Sequence, residues 1–117
     1  MPQAIHLASK LQKFSDHWAP RTVATFNDLD IMVVKVLGEF SWHSHADTDD
    51  FFLVLKGRLR IETEAGPVDL AEGDLHVVPR GMRHRPVAQE ECHLLLIEPS
   101  GTPNSGDPAT AAPRQWA

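Results

Sequence analysis

Two imidazoles stand two residues apart in Trp42-His43-Ser44-His45. In an extended chain, residues i and i+2 point to one face, about 6–7 Å apart at the backbone. A metal–nitrogen bond is about 2.0–2.1 Å long, so two such side chains can converge on one ion without straining the strand. Taken alone, the pair reads more readily as hydrogen-bonded histidines or a solvent face. Two further segments add donors. Asp47-Thr48-Asp49-Asp50 places carboxylates directly ahead of the apolar run 51–55, and Pro79-Arg80-Gly81-Met82-Arg83-His84 ends on a third imidazole. Three neutral nitrogens and one carboxylate suit a divalent Fe, Mn, Ni, Cu or Zn ion. The competing reading of the acidic run is a solvated loop that caps a strand.

The rest of the composition narrows the partners. The 117 residues carry a formal net charge of −5, which disfavours nucleic acid and anionic membrane surfaces and leaves a small molecule as the expected ligand. The one cysteine, Cys92, cannot form a disulfide within the chain, and the first residues lack the apolar stretch of a signal peptide, so a cytoplasmic setting is expected. The aliphatic and aromatic run 51–55 is far short of the ~20 residues that span a bilayer. Seven histidines beside one cysteine turn attention from thiolate zinc sites to imidazole chemistry. His76 and His93 in expected strands, and His6 and His17 near the start, read as ordinary surface or hydrogen-bonded groups.

The elements that must position these groups are mostly strands. Ile5, Ala8, Leu11 and Phe14 recur at helical spacing, which predicts a short amphipathic helix over residues 4–15. Residues 23–26 and 31–37 read as a hairpin around Asn27-Asp28-Leu29-Asp30. Short apolar runs follow at 51–55, 59–62, 68–70, 75–78 and 93–97, separated by glycine and proline turns. That pattern predicts an all-β sandwich or barrel. The expected organisation is an N-terminal helix and linker over 1–20, a barrel over 21–98 and an extended or mobile tail over 99–117, with Trp116 fraying. The run 51–55 is apolar at both parities, so both of its faces need cover. The helix or the same sheet of a second subunit could supply the outer cover, and a homodimer is expected.

At this point the chain resembles a family. GEFSWHSHADTDDFFLVLKG over 38–57 and GDLHVVPRGMRH over 73–84 look like the two sequence motifs of the cupins, and the likeness runs over roughly 29–97. It implies a double-stranded β-helix, a jelly-roll barrel, with a metal inside near its open end. By resemblance the ligands are His43, His45 and His84, with Asp50 at the position of the family's glutamate and Asp49 as the register alternative. The sequence departs from the family in three ways: four residues lie between Gly38 and His43 where five are usual, the glutamate is an aspartate one methylene shorter, and the family's polar position after the second-motif histidine falls on Ala88.

Cupins of this kind include dioxygenases, isomerases and decarboxylases. A metal-dependent oxidoreductase or isomerase is therefore the expected function, ahead of a non-catalytic metal and ligand sensor, and of a metal that only staples the barrel. The substrate and a general base are not identifiable. Arg80, Arg83 and Arg85 around His84, and Arg58 and Arg60 after Gly57, could clamp an anionic substrate, but a solvated basic rim is the stronger reading. Trp42 is expected to pack on the face opposite the histidines, and Cys92 to be a small buried residue and not a nucleophile.

Overall fold

In a computed structural model, which describes residues 2–102 and 114–117, the chain is an antiparallel β structure with one short helix. The order is α1 (Leu7–Leu11), β1 (Arg21–Phe26), β2 (Leu29–Glu39), β3 (Asp50–Lys56), β4 (Leu59–Thr63), β5 (Gly66–Leu70), β6 (Leu75–Val78) and β7 (His84–Pro99). Neighbours run β1-β2-β7-β3-β6, and β4 joins β7 to β5. Strand β7 is the spine. Its first part, from His84 to Val87, pairs with β4, and its second part pairs with both β2 and β3. Register breaks at Val36/Gly38 in β2 and Val54/Lys56 in β3 let the long strands bend between these partners, as bulges do.

The bend wraps the sheet around one interior. Met32, Val34 and Val36 of β2, Phe52 and Val54 of β3, Leu59 and Ile61 of β4, and Leu94 and Leu96 of β7 fill it. Each set alternates with outward residues, so the two-residue period selects the face. In β3 this resolves the doubly apolar run: Asp50, Phe52 and Val54 are buried, whereas Phe51, Leu53 and Leu55 are only half-buried.

A smaller cluster lies elsewhere, where Leu11 of α1 joins Val23 and Val33, with Leu7, Phe14, Leu55 and Leu95 around them. Five residues are too few for a helix to stand on its own hydrogen bonds. Burial of Leu11, worth about 1.5–3 kcal/mol, holds α1 in place. The helix is shorter than the spacing predicted because Ile5 stays exposed and the His6 cap makes no side-chain bond.

Other boundaries also shift. The first hairpin turns on Asn27-Asp28 alone, with Asn27 in the left-handed region at φ 53°, so β2 starts at Leu29 within the expected turn. His84 opens a strand rather than closing a turn, and Pro86 sits within that strand opposite Ile61. A proline donates nothing, but its carbonyl still accepts from the Phe40 amide. Part of the expected tail, 103–113, lies outside the described residues. The last residues do not fray: Trp116 bridges to Thr22, the Ala117 amide donates to the Thr22 carbonyl, and Arg114 pairs with Asp30.

Gly57 connects β3 to β4 at φ +89°, and a Cβ there would lie 3.1 Å from the Glu91 carbonyl oxygen and 3.3 Å from Cys92 Cα. Gly73 shares the positive φ, at +85°, but faces open space. Gly57→Ala is therefore expected to cost about 2–3 kcal/mol in denaturant unfolding and Gly73→Ala about 1 kcal/mol. Equal losses for the two would show that the close approach at Gly57 contributes nothing.

Candidate metal centre

The two halves of the site are sewn together by main-chain bonds. The segment around His43 forms a single bridge to the start of β7: the His43 amide donates to the His84 carbonyl and the His84 amide to the His43 carbonyl, each at 2.9 Å. The Gly81 amide donates to the His45 carbonyl at 2.8 Å, with Gly81 at φ +82° closing the turn after Pro79. His43 and His45 thus lie on an extended loop with one bridge instead of in a regular strand. Asp50 is the first residue of β3, on the same inward parity as Phe52 and Val54, opposite Val78 of β6.

These contacts bring His43, His45, Asp50 and His84 together, all buried, with one donor atom from each within 4.8 Å of the others. Asp50 Oδ2 is 2.8 Å from His84 Nε2, 3.5 Å from His45 Nε2 and 3.8 Å from His43 Nε2. Ligands about 2.0–2.1 Å from one ion sit roughly 3–3.4 Å apart in tetrahedral or octahedral geometry, so the spacing fits. The ring orientations fit too. Nδ1 of His43 meets the Ser41 carbonyl and Nδ1 of His84 the Met82 carbonyl, both at 2.9 Å. Only a protonated Nδ1 can donate to a carbonyl, which leaves each Nε2 as the atom turned to the shared centre. The cluster therefore fits a divalent-metal site, and Ala88, a core residue at 1% exposure, is not needed to orient His84.

Burial alone would raise the Asp50 carboxyl, but hydrogen bonds from His43, His45 and His84 outweigh it and hold the group far below the usual carboxylate range. For His84, burial favours the neutral ring, while the bonds to Asp50 and the Met82 carbonyl raise its pKa. A bound ion would take the place of the contact between His84 Nε2 and Asp50 Oδ2, so the bonds that favour the charged ring would oppose its entry.

Beside the cluster lies a cavity of about 50 Å³ that opens to solvent. His43 and Asp50 form its polar end; Trp18, Phe40, Phe52, Pro86 and Leu96 line much of the rest. Trp18 stacks on Phe40 with ring centroids 4.9 Å apart. It is pinned at φ 60° by two bonds, from its amide to the Lys35 carbonyl and from its indole to the Leu37 carbonyl, each at 2.9 Å. The cavity also contains Glu98, 6% exposed, which sequence reading passed over. Its signal was parity: Cys92, Leu94 and Leu96 make an apolar inward face, and Glu98 continues it with an acid.

The other candidates lie outside the cluster. Asp49 is exposed and accepts from the Arg80 amide at 2.9 Å, whereas Asp50 is the acid that the strand's parity turns inward. Asp47 is exposed. His6 bonds Ser9, His17 and His93 both hold Glu91, and His76 pairs with Phe52 across β6. Arg60 pairs with Asp69, and Arg85 with Glu62 and Glu39, as solvent-screened surface ion pairs. Arg83 and Arg85 sit over the Trp42 ring, which is 39% exposed and not packed inside. Cys92 is fully buried, and burial pushes its thiol up to about 11.

Comparison with known proteins agrees with this architecture. The family profile described as the cupin domain matches residues 30–98. The crystal structure of a cupin-2 domain containing protein from Shewanella frigidimarina aligns with a TM-score of 0.80 at 44% identity, covering 81% of this chain and 93% of that one. A presumed dioxygenase of Saccharolobus solfataricus is 30% identical over 93 residues, 77% of this chain and 24% of that protein. The uncharacterized protein YdbB of Bacillus subtilis is 32% identical over 78 residues, 66% of this chain and 69% of that one. The chain thus spans about a quarter of the length of the Saccharolobus relative.

The charges set a pH dependence for the metal-free protein. Asp50, depressed, stabilises above about pH 4 and is lost only below it. His84, raised, stabilises below about pH 6.5 and its contribution fades as pH climbs through the folded value. Glu98, pushed up to about 8 by burial and by the charges of Asp50 and Asp30, penalises the folded state increasingly from about pH 4.5 to 8. The last two act in one direction. Thermal unfolding of metal-free protein is expected at least about 5 °C lower at pH 8.5 than at pH 5.5; an unchanged or higher midpoint would contradict these assignments.

Proposed function

The chain belongs to the cupin domain family, and from that premise we propose that its barrel holds one divalent transition metal on His43, His45, His84 and Asp50 and acts on a small molecule beside it, as a metal-dependent oxidoreductase or isomerase. The observation that carries this reading is the convergence of three Nε2 atoms on one buried carboxylate oxygen at the end of an apolar cavity. A metal there supplies Lewis acidity and an open position for a ligand. The protein's own part is orientation and exclusion. The Ser41 and Met82 carbonyls hold two imidazoles in one tautomer, Asp50 lowers the charge of the centre, and the hydrophobic wall keeps bulk water from it. The name of the Saccharolobus relative supports the oxidoreductase branch.

A cytoplasmic homodimer belongs to the same reading. Among the described residues no helix is long and apolar enough to cross a membrane. Phe51 faces Val77 and Leu53 faces Leu75 across β3 and β6, and Leu75 and Val77 are 55% and 41% exposed, a flat apolar surface suited to a second copy. Sedimentation is expected to give two chains for the wild type and one for Leu75→Asp with Val77→Asp. A wild type that sediments as one chain at all concentrations removes the dimer.

Protein expressed with each candidate metal is expected to bind about one ion per chain by elemental analysis, and His43→Ala with His84→Ala to reduce this below about a tenth. A wild type free of metal under every supply, alongside a variant that folds as it does, would sink the site. Chelation then separates roles. A modest fall in melting temperature marks an open functional centre, and collapse of the fold marks a structural staple.

A further inference from the structure

The metal leaves one buried group in the barrel without a task. Glu98 lies on the inward face of β7, 94% buried by its 6% exposure, and its side chain makes no hydrogen bond to another described residue. Asp30 stands opposite it in the β2–β7 register, and the charge of Asp50 also reaches it. Asp30 is already satisfied by Arg114 at 2.9 Å and Ser100 at 2.8 Å. Among the described residues no side-chain polar atom is both sealed from solvent and without a partner, and Glu98 lines the cavity. Glu98 is also absent from the set of converging metal donors.

A desolvated carboxyl that faces a cavity and has no side-chain partner among the described residues is costly unless a ligand completes it. The cavity describes that ligand. Trp18 and Phe40, stacked on each other, and Phe52 and Leu96 line it with aromatic and aliphatic carbon, so most of the occupant is apolar and an aromatic ring suits it. Asp30 and Asp50 flank the carboxyl and repel an anion. A hydroxyl is the neutral group that can both donate to and accept from a carboxyl. We propose that Glu98 is the hydrogen-bonding anchor of this cavity, and that it takes a small aromatic alcohol whose ring lies against Trp18 and Phe40 and whose hydroxyl meets the Glu98 carboxyl. The inference rests on the barrel cavity being a small-molecule pocket.

The test compares p-cresol with toluene, which differ by the hydroxyl alone. Calorimetric or NMR titration of the purified protein is expected to show p-cresol binding about tenfold more tightly than toluene. Glu98→Leu should abolish that preference while metal content stays at the wild-type value, and Glu98→Gln, which keeps a hydrogen-bonding amide, should retain part of it. The conservative amide also guards against misfolding of the leucine variant. Preference unchanged in Glu98→Leu, equal binding of the two probes by the wild type, or binding of neither overturns the proposal. The metal reading is decided separately by elemental analysis of the same samples. A metal-free protein that discriminates the probes through Glu98 keeps this inference and loses the metal enzyme, and the reverse result does the opposite.

Discussion

The carboxylate of Asp50, buried among three imidazoles, is the constraint around which this barrel is arranged. A lone charge in that position would be expelled or neutralised, because removing it from water costs several kcal/mol. It persists because His84, His45 and His43 each present Nε2 towards one of its oxygens. Those rings can do so only if the loop carrying His43 and His45 is fastened to the segment carrying His84. Two main-chain bonds between His43 and His84, and one from Gly81 to His45, provide that fastening. The chemistry of the centre and the closure of the barrel are therefore one structural problem.

Strand β7 solves most of it. It begins at His84, among the converging donors, and ends near Glu98, in the wall of the cavity, while pairing with β2, β3 and β4 on the way. A single strand thus sets the spacing between the polar end of the pocket and the isolated carboxyl. Its inward residues between these two points are small or aliphatic: Pro86, Ala88, Cys92, Leu94 and Leu96. Polar groups at the two ends and hydrocarbon between them suit an amphipathic occupant better than a fully polar one.

How much of this was legible in the sequence follows from the range of the interactions involved. The all-β class and the short helix could be read from alternation and turn residues close in the chain, and the grouping of His43, His45 and His84 from the resemblance of two separated motifs to the cupins. The choice between Asp49 and Asp50 could not. Phe51 to Leu55 are apolar at either parity, and only pairing with β6 and β7 shows which set faces inward. The strand character of residues 84–91 was hidden by Pro86 and by the run of charged residues, since their partners lie far away in β4 and β2. Docking of Trp116 and Ala117 on Thr22 joins residues almost a chain length apart, which composition cannot foretell. Glu98 was visible only as an acid continuing an apolar face, a signal that acquires meaning once the cavity is known.

The aspartate at the family's glutamate position shows how a shorter side chain is accommodated. One methylene less means that the backbone carrying the carboxylate must lie nearer the histidines, and Asp50 is placed as the first residue of β3, opposite Val78. From there Oδ2 comes within 2.8 Å of His84 but stands 3.5 Å and 3.8 Å from His45 and His43. The centre is thus tightest on the side of β7 and looser on the side of the His43 loop. An ion held there would be bound by His84 and Asp50 on the tight side and by His43 and His45 on the looser one, and it would replace the contact between His84 Nε2 and Asp50.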